Sequence, residues 1–350
     1  MWKFRQNIKC KVFMKVKVIK QNVGIDVSKD TIDVSFSNLT ADFRTVVVST
    51  RKFSNTAKGF KQLQDWVNGK KDTDMSVNFT MEATGVYYEG LAYFLYVQEK
   101  YLVRVVLPNK VYKYAQSFGL KSKTDRIDAR ILAQMGLERE LRLWQPVSSS
   151  LLGLRQLTRE RDALVRTRTN ASNQLHAYSH QGKPNKAVIA RSKEHISFLD
   201  RQIKQIEKEI KIFVNKDKEL KTKMEYLLSI PGVGMVTATT IVAETNGFAA
   251  IESIKQLTSY AGLDVKIAES GKWKGKSTIS KRGNSHIRKA VYMPSLSIIG
   301  KDKKTKLFYE RLKERKGVGM VAVVAVGRKL LALMYTLWKK EEMYKNASET

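Results

Sequence analysis

Between residues 22 and 144, short β-rich runs and stretches of helical spacing follow one another in the order βββαβαβα, a pattern that few architectures accommodate. Residues 23–27, 31–36 and 43–49 are rich in β-branched and aromatic side chains with turn residues between them, which predicts a meander. Phe60, Leu63 and Val67 give residues 56–67 a helical face. Residues 77–81 read as a strand, 91–97 as a helix and 102–107 as a strand, and Pro108 opens a helix running towards Phe118. Two acids sit at the ends of apolar runs: Asp26 in Gly24-Ile25-Asp26-Val27-Ser28-Lys29 and Glu82 in Met81-Glu82-Ala83-Thr84-Gly85. Two more, Asp125 and Asp128 in Lys123-Thr124-Asp125-Arg126-Ile127-Asp128-Ala129, share one helix face.

This order of elements, with acids at strand ends, predicts an α/β domain of the RNase H-like kind. Carboxylates that converge without His or Cys suit a hard divalent ion, Mg²⁺ first and Mn²⁺ as its substitute. Two such ions about 3.5–4 Å apart can bracket a phosphate, one beside the attacking oxygen and one beside the leaving oxygen. Asp26, Glu82, Asp125 and Asp128 are therefore the candidate metal ligands and catalytic acids. Asp30, Asp33, Glu89 and Glu138 nearby are read as ordinary surface carboxylates.

Charge indicates whose phosphate. The chain has 350 residues, 64 Lys plus Arg against 33 Asp plus Glu, and a formal net charge of +31. Such an excess draws polyanions from a distance, and nucleic acid fits it better than a membrane surface. The length implies more than one domain, and 43% hydrophobic residues supply real cores. Cys10 is the single cysteine, which excludes a disulfide framework and a cysteine metal site. His176 and His180 are spaced i, i+4 without an HExxH context and read as an exposed helical pair. No uninterrupted apolar run reaches 18 residues; residues 318–326, followed by Arg328 and Lys329, read as a buried helix. The first twenty residues hold seven Lys or Arg and no acid, and are not a secretory signal. They read as a basic extension over 1–21: an arm for nucleic acid, an extra edge strand, or an upstream start ahead of Met14. A soluble cytoplasmic protein is expected.

The pattern changes after residue 150. Ile196, Leu199, Ile203, Ile206, Ile210 and Phe213 keep a strict 3–4 spacing, and Leu154, Leu157, Leu164, Ala171, Leu175 and Tyr178 form a looser arm that Arg161 and Arg168 interrupt. With a turn at Gly182-Lys183-Pro184-Asn185, residues 151–225 are expected to form an antiparallel coiled-coil hairpin, either an assembly surface or a partner for a phosphate backbone. Further on, Ile230-Pro231-Gly232-Val233-Gly234 lies between two apolar helical stretches. It matches a helix-hairpin-helix turn, whose backbone N–H groups face a DNA phosphate, and equally an ordinary αα-corner. Gly232 and Gly234 are its candidate contacts. Residues 271–289 hold seven Lys or Arg and no acid. Lys272, Lys274, Lys276, Lys281, Arg282 and Arg288 are the candidate nucleic-acid-binding cations there. Ser270 in Glu269-Ser270-Gly271 stands at the entrance to this segment, where a serine beside a glycine can approach a phosphorus. Ser277, Ser280 and Ser285 share its surroundings, so chemistry alone leaves a capping role open.

Taken together, the motifs resemble the DEDD-type insertion-sequence transposases, the family numbered one-ten, and their Piv-type invertase relatives. The match rests on Gly-Ile-Asp-Val-Ser-Lys, Met-Glu-Ala-Thr-Gly and Lys-Thr-Asp-x-x-Asp-Ala. Distally it rests on Ala261-Gly262-Leu263, Ser270-Gly271, Ile279-Ser280-Lys281-Arg282-Gly283-Asn284 and Ile287-Arg288, and it runs in order from about 22 to 337. Asp264-Val265 departs from the family, which often has Pro after Gly-Leu, as does the extension before residue 20. The resemblance implies a RuvC-like domain over 22–150 with the four acids as Mg²⁺ ligands. It also implies a mostly α transposase domain over 226–340 with Ser270 as nucleophile, followed by a tail over 341–350. Its further implications are target and donor DNA, a structured guide RNA encoded by the element, and a dimer-to-tetramer in which protomers share composite sites.

The expected function is thus an RNA-guided DNA recombinase that excises and inserts its own element. Two rivals use the same residues differently: a RuvC-like junction endonuclease that hydrolyses with water, and a catalytically dead nucleic-acid-binding remnant. An actin-like ATPase is the weaker rival, because the chain lacks a second Gly-rich phosphate loop.

Overall fold

Ser28, Lys29 and Asp30 turn the chain between two ten-residue strands, β1 (Val18–Val27) and β2 (Thr31–Thr40), which pair antiparallel with Asp26 opposite Asp33. In this computed structural model, residues 16–72, 74–119, 124–249, 251–266, 269–270, 273–275 and 278–345 are described. They divide into two compact units, Met1–Pro146 and Val147–Thr350.

In the first unit, β3 (Thr45–Ser54) extends the meander and helix α1 (Ala57–Asn68) follows, with the Thr56 side chain accepting from Gly59 N at its start. Strand β4 (Val77–Glu82) leads into α2 (Glu89–Tyr93), which continues as a π-helical turn, Phe94–Gln98. Strand β5 (Leu102–Val106), α3 (Pro108–Gln116) and α4 (Asp125–Glu138) complete the unit. The sheet order is β3-β2-β1-β4-β5, with β4 and β5 parallel to β1. This is the RNase H-like arrangement expected from the order of elements.

The sheet has two chemically different faces because successive side chains alternate across it. Val23, Ile25, Val27, Ile32, Val34, Phe36, Phe79 and Met81 form one face and pack on Leu63, Val67, Leu91 and Leu95. The other positions of the same strands are small or polar: Asn22, Gly24, Asp26, Asp33, Ser35, Ser37, Asn78, Thr80 and Glu82. Helix α4 covers this second face. Asn22 Nδ2 donates to Ala133 O at 2.8 Å, and Thr80 Oγ1 donates to Asn22 Oδ1 at 3.1 Å. A Cβ on Gly24 would lie 2.1 Å from Ala133 N and 2.2 Å from Ala129 O, so helix and strand meet backbone to backbone.

The second unit begins with two 31-residue helices, α5 (Ser149–Ser179) and α6 (Lys186–Lys216), capped by Ser148 and Asn185. They pack side by side, and the two arginines that interrupt the apolar spacing of α5 pair across to α6. Arg161 meets Glu207 at 2.6 Å and Arg168 meets Asp200 at 2.9 Å. Helix α7 (Lys218–Leu228), the turn at Ile230–Gly234 and α8 (Met235–Glu244) follow. Gly232 has φ +87°, and a Cβ there would lie 2.8 Å from the Ser297 side chain, which gives this turn a packing role.

After α9 (Ile254–Tyr260) the chain forms a ribbon from four two-residue strands, β6 (Val265–Lys266), β7 (Glu269–Ser270), β8 (Trp273–Lys274) and β9 (Thr278–Ile279). β6 pairs with β9, and β7 with β8, both antiparallel. Three helices close the unit: α10 (Ser285–Lys301), α11 (Lys303–Lys316) and α12 (Gly319–Lys340). Among the described residues α12 alone is long and apolar enough to cross a membrane. Its Val326, Leu330, Leu331, Met334 and Trp338 pack in the core with Leu154, Ile210, Ile241, Leu257 and Ile287.

The Gly24 contact can be tested by adding one methyl group. Gly24→Ala should destabilise the protein by about 3 kcal/mol, because the obstacle is helix backbone rather than a movable side chain. Gly300→Ala, in α10 with nothing within 4 Å of the added Cβ, should be neutral or slightly stabilising. Urea unfolding of the two variants checks this.

Candidate active site

Two strand ends and one helix start carry the four acids. The β1–β4 register runs in parallel from Gln21↔Val77 to Ile25↔Met81, so Asp26 and Glu82 are the next neighbours along the two strands. Asp26 lies two residues beyond Gly24 and so on the α4 face. Helix α4 starts at Asp125, with Thr124 Oγ1 accepting from Ile127 N, and its first turn holds both Asp125 and Asp128. A carboxylate in a first turn also favours the helix dipole, a structural reason for acids there. The chain spends more than that requires. Burial pushes the Asp26 carboxyl up to about 6, with the charges of Asp128, Asp125, Glu82 and Asp33 adding in that order. These carboxylates share one electrostatic neighbourhood.

They do not yet form a cage. Among the described residues no three His, Cys, Asp or Glu side chains stand close enough to hold one ion. Like charges in a half-buried place repel, and a hard divalent cation relieves both that repulsion and the desolvation of Asp26. The donor set is all oxygen, as Mg²⁺ or Mn²⁺ requires. Asp33, set aside from sequence, is Asp26's cross-strand partner and is paired with Lys52 at 3.0 Å. Equal spacing about the Lys29-Asp30 pair is the signal that could have found it. Lys52 in turn has its pKa raised, chiefly by its hydrogen bond to Asp33, with Asp125 and Asp26 contributing.

Ser270 lies on the other unit, exposed on β7 and opposite Trp273 of β8. Gly271, Lys272 and Lys276 lie outside the described residues, as does the side chain of Lys274. The stretch read from sequence as one basic loop is divided by the structure. Its described residues up to Ile279 belong to the ribbon, and from Ser285 it is helix α10, started by Asn284 Oδ1 accepting from His286 N and Ile287 N.

The base of the ribbon is clamped. Ser280 N donates to Asp264 O at 2.8 Å, Ser280 Oγ donates to Asp264 Oδ1 at 2.5 Å, and Lys281 N donates to Gly262 O at 3.0 Å. Asp264 thus holds Ser280. Arg288 Nη1 donates to Ala261 O and Gly283 O at 2.8 and 3.0 Å, so this cation braces the backbone. Lys281 and Arg282 remain exposed. Beneath lies Glu244, 2% exposed, gripped by Arg159 Nε and Nη2 at 2.7 and 2.9 Å and by Asn284 Nδ2 at 2.6 Å. Burial works against its ionisation, but the Arg159 and Asn284 hydrogen bonds outweigh it and hold the carboxyl below its ordinary range. Neither Glu244 nor Arg159 was singled out from sequence, since an acid closing an apolar helix reads as a solvent-facing end.

Known proteins share both halves. Residues 23–184 match a family model described as transposase, of the DEDD type, and residues 224–310 match one described as transposase IS116/IS110/IS902 family. A pilin gene-inverting protein of Moraxella bovis is 27% identical over 334 residues, spanning 93% of this chain and 98% of its own. The transposase for insertion sequence element IS1328 of Yersinia enterocolitica is 27% identical over 216 residues, 54% of this chain and 61% of that one. Among solved structures, T. thermophilus RuvC in complex with a Holliday junction substrate aligns with 35% of this chain and 99% of that one, at TM-score 0.27 and 9% identity.

The carboxylate cluster should be a stability defect in metal-free protein. An Asp26 that ionises at about 6 when folded, against 3.8 ordinarily, keeps a proton that the unfolded chain has already lost. Its contribution to stability therefore falls as pH rises through that window and stays lost above it. Asp26→Asn should raise stability above about pH 6 by about 1 kcal/mol, allowing for screening at a half-exposed group, and leave it unchanged below about pH 4. Denaturant midpoints across pH in the presence of a chelator check this; a variant less stable than the parent at neutral pH would contradict it.

Proposed function

The chain belongs to the IS116/IS110/IS902 transposase family and is a DNA recombinase of the transposase kind, and on that premise we propose that it moves an insertion sequence by serine-mediated strand transfer. Ser270 Oγ attacks a backbone phosphorus, forming a phosphoserine ester while the bond to the leaving DNA oxygen breaks and that oxygen takes up a proton. The ester keeps the energy of the phosphodiester, so a second strand's hydroxyl can displace Ser270 and rejoin the DNA without an external energy source. Asp26, Glu82, Asp125 and Asp128 are the residues that would hold the divalent ion, Mg²⁺ or Mn²⁺. When bound it supplies Lewis-acid stabilisation of charge on the phosphoryl oxygens. The observation that supports the metal site in this reading is geometric: Asp26 and Glu82 follow the paired ends of β1 and β4, Asp125 and Asp128 share the first turn of α4, and the Asp26 carboxyl is raised by burial first and then by these acids and Asp33.

The clamped ribbon base supports a presenting role for Ser270, and exposed cations such as Lys281 and Arg282 would track the phosphate chain. In this reading the net charge of +31 serves two polyanions, target and donor DNA and an element-encoded guide RNA that supplies sequence recognition. Copies of the chain assemble as a dimer or tetramer, so that the serine of one protomer serves the acids of another. The paired helices α5 and α6 offer the long surface such assembly needs. The enzyme works in the cytoplasm of a bacterial or archaeal cell, on the nucleoid.

A hydrolytic junction endonuclease is the second reading, favoured by the presence of all four acids on one unit. The two readings separate on a covalent intermediate. With element-end DNA, guide RNA and Mg²⁺, the wild-type protein should give a protease-sensitive DNA adduct that falls about a thousandfold or more in Ser270→Ala and persists in Ser280→Ala. Cleavage without any adduct would favour the endonuclease, and an adduct that survives Ser270→Ala would remove Ser270 from the role.

A further inference from the structure

The second unit contains a cleft of about 670 Å³ that neither the carboxylates nor Ser270 accounts for. It is walled by α8 and α10 and reaches the base of the ribbon. Val236, Leu263, Ile279, Pro294 and Val324 give it apolar surfaces, and Arg161, Asp162 and Lys289 line it with charge beside His286. On α10, Tyr292 and Met293 also line it and stay 38% and 66% exposed, so an aromatic and a thioether surface face the opening. Lys289 Nζ meets Asp162 Oδ1 at 2.9 Å and His286 Nδ1 lies 3.4 Å from Asp162 Oδ2, so the rim is ordered.

The chemistry narrows the occupant. An apolar slot with aromatic and Met surfaces suits a flat, weakly polar body, and a lining in which Arg161, Arg288 and Lys289 outnumber the one acid, Asp162, suits an anionic tether attached to it. A nucleotide has both. Leu263 and Ile279 belong to the clamped ribbon base, which places the cleft beside the segment that would present DNA to Ser270. We propose that this cleft receives a nucleobase turned out of the stack of a DNA strand held at the ribbon, with its phosphate near Lys289. This assignment rests on the reading of the chain as a DNA-handling enzyme. A base lodged there fixes the register of the strand while its flanking phosphates run along the cationic surface, and stacking is tolerant of base identity.

The test uses the full chain and a mixed-sequence single-stranded DNA carrying iodouracil, with bound strand followed by anisotropy and photo-adducts mapped by mass spectrometry. Wild-type protein should give adducts at Tyr292 or Met293. Thr240→Trp, which fills the cleft from α8, should lower adduct yield about tenfold at saturating DNA while changing affinity by less than about threefold. Thr237→Trp, from the same wall, serves if the first variant does not fold. Lys289→Glu should lower affinity and adduct yield together. Adducts confined to other residues, or a yield unchanged when the cleft is filled, would overturn the proposal and leave DNA binding intact. A wild-type chain that did not bind the strand would instead overturn the DNA-handling reading itself.

Discussion

Helix α4 rests on strand β1 with no side chain between them at Gly24, and the arrangement of the first unit follows from that contact. Any Cβ would press into the backbone at Ala129 and Ala133. Gly136 repeats the condition further along the helix, where a Cβ would lie 2.2 Å from Asn22 Nδ2 and Thr80 Oγ1. Asn22 then spends its amide on the helix carbonyls and Thr80 on Asn22, so the polar face is satisfied rather than merely covered. A helix held this close has little freedom to slide. Its first turn is brought to the ends of β1 and β4, where Asp26 and Glu82 already stand.

The consequence is electrostatic strain in a stable scaffold. The apolar face, from Val23 to Phe79 and Leu63, supplies the burial that offsets it. The other face gathers carboxylates at one end, where the Asp26 carboxyl titrates well above its usual range because of burial and its acidic neighbours. Lys52 answers part of the negative charge through Asp33, at the margin of the group. The second unit solves a similar problem differently: Glu244 is buried and remains charged because Arg159 and Asn284 satisfy it. One cluster gathers like charges, and the other pairs its buried acid with Arg159 and Asn284.

Much of the first unit was legible because its signals are local. β-rich runs between turn residues marked the strands, the spacing of Phe60, Leu63 and Val67 marked α1, Pro108 marked the start of α3, and the i, i+3 spacing of Asp125 and Asp128 put them on one face. The rest depends on pairings across long stretches of chain. Arg161 and Arg168 look like faults in an apolar seam until Glu207 and Asp200 are found opposite them. The ribbon around Ser270 was hidden because its strands are two residues long, too short for any alternation to be read. Glu244 gave no sign either, since its partners come from α5 and from the start of α10. Asp33 was recoverable, because Asp26 and Asp33 are equidistant from the Lys29-Asp30 pair on which the hairpin is centred.

Metal-assisted chemistry in this chain requires that four acids from β1, β4 and α4 make one site. Mn²⁺ uptake followed by electron paramagnetic resonance, in the wild-type chain and in Glu82→Gln and Asp128→Asn, tests this directly. Saturable binding in the wild type, weakened about tenfold or more in both variants, is the predicted result. Binding that is absent, or that persists unchanged when these carboxylates are neutralised, would contradict it.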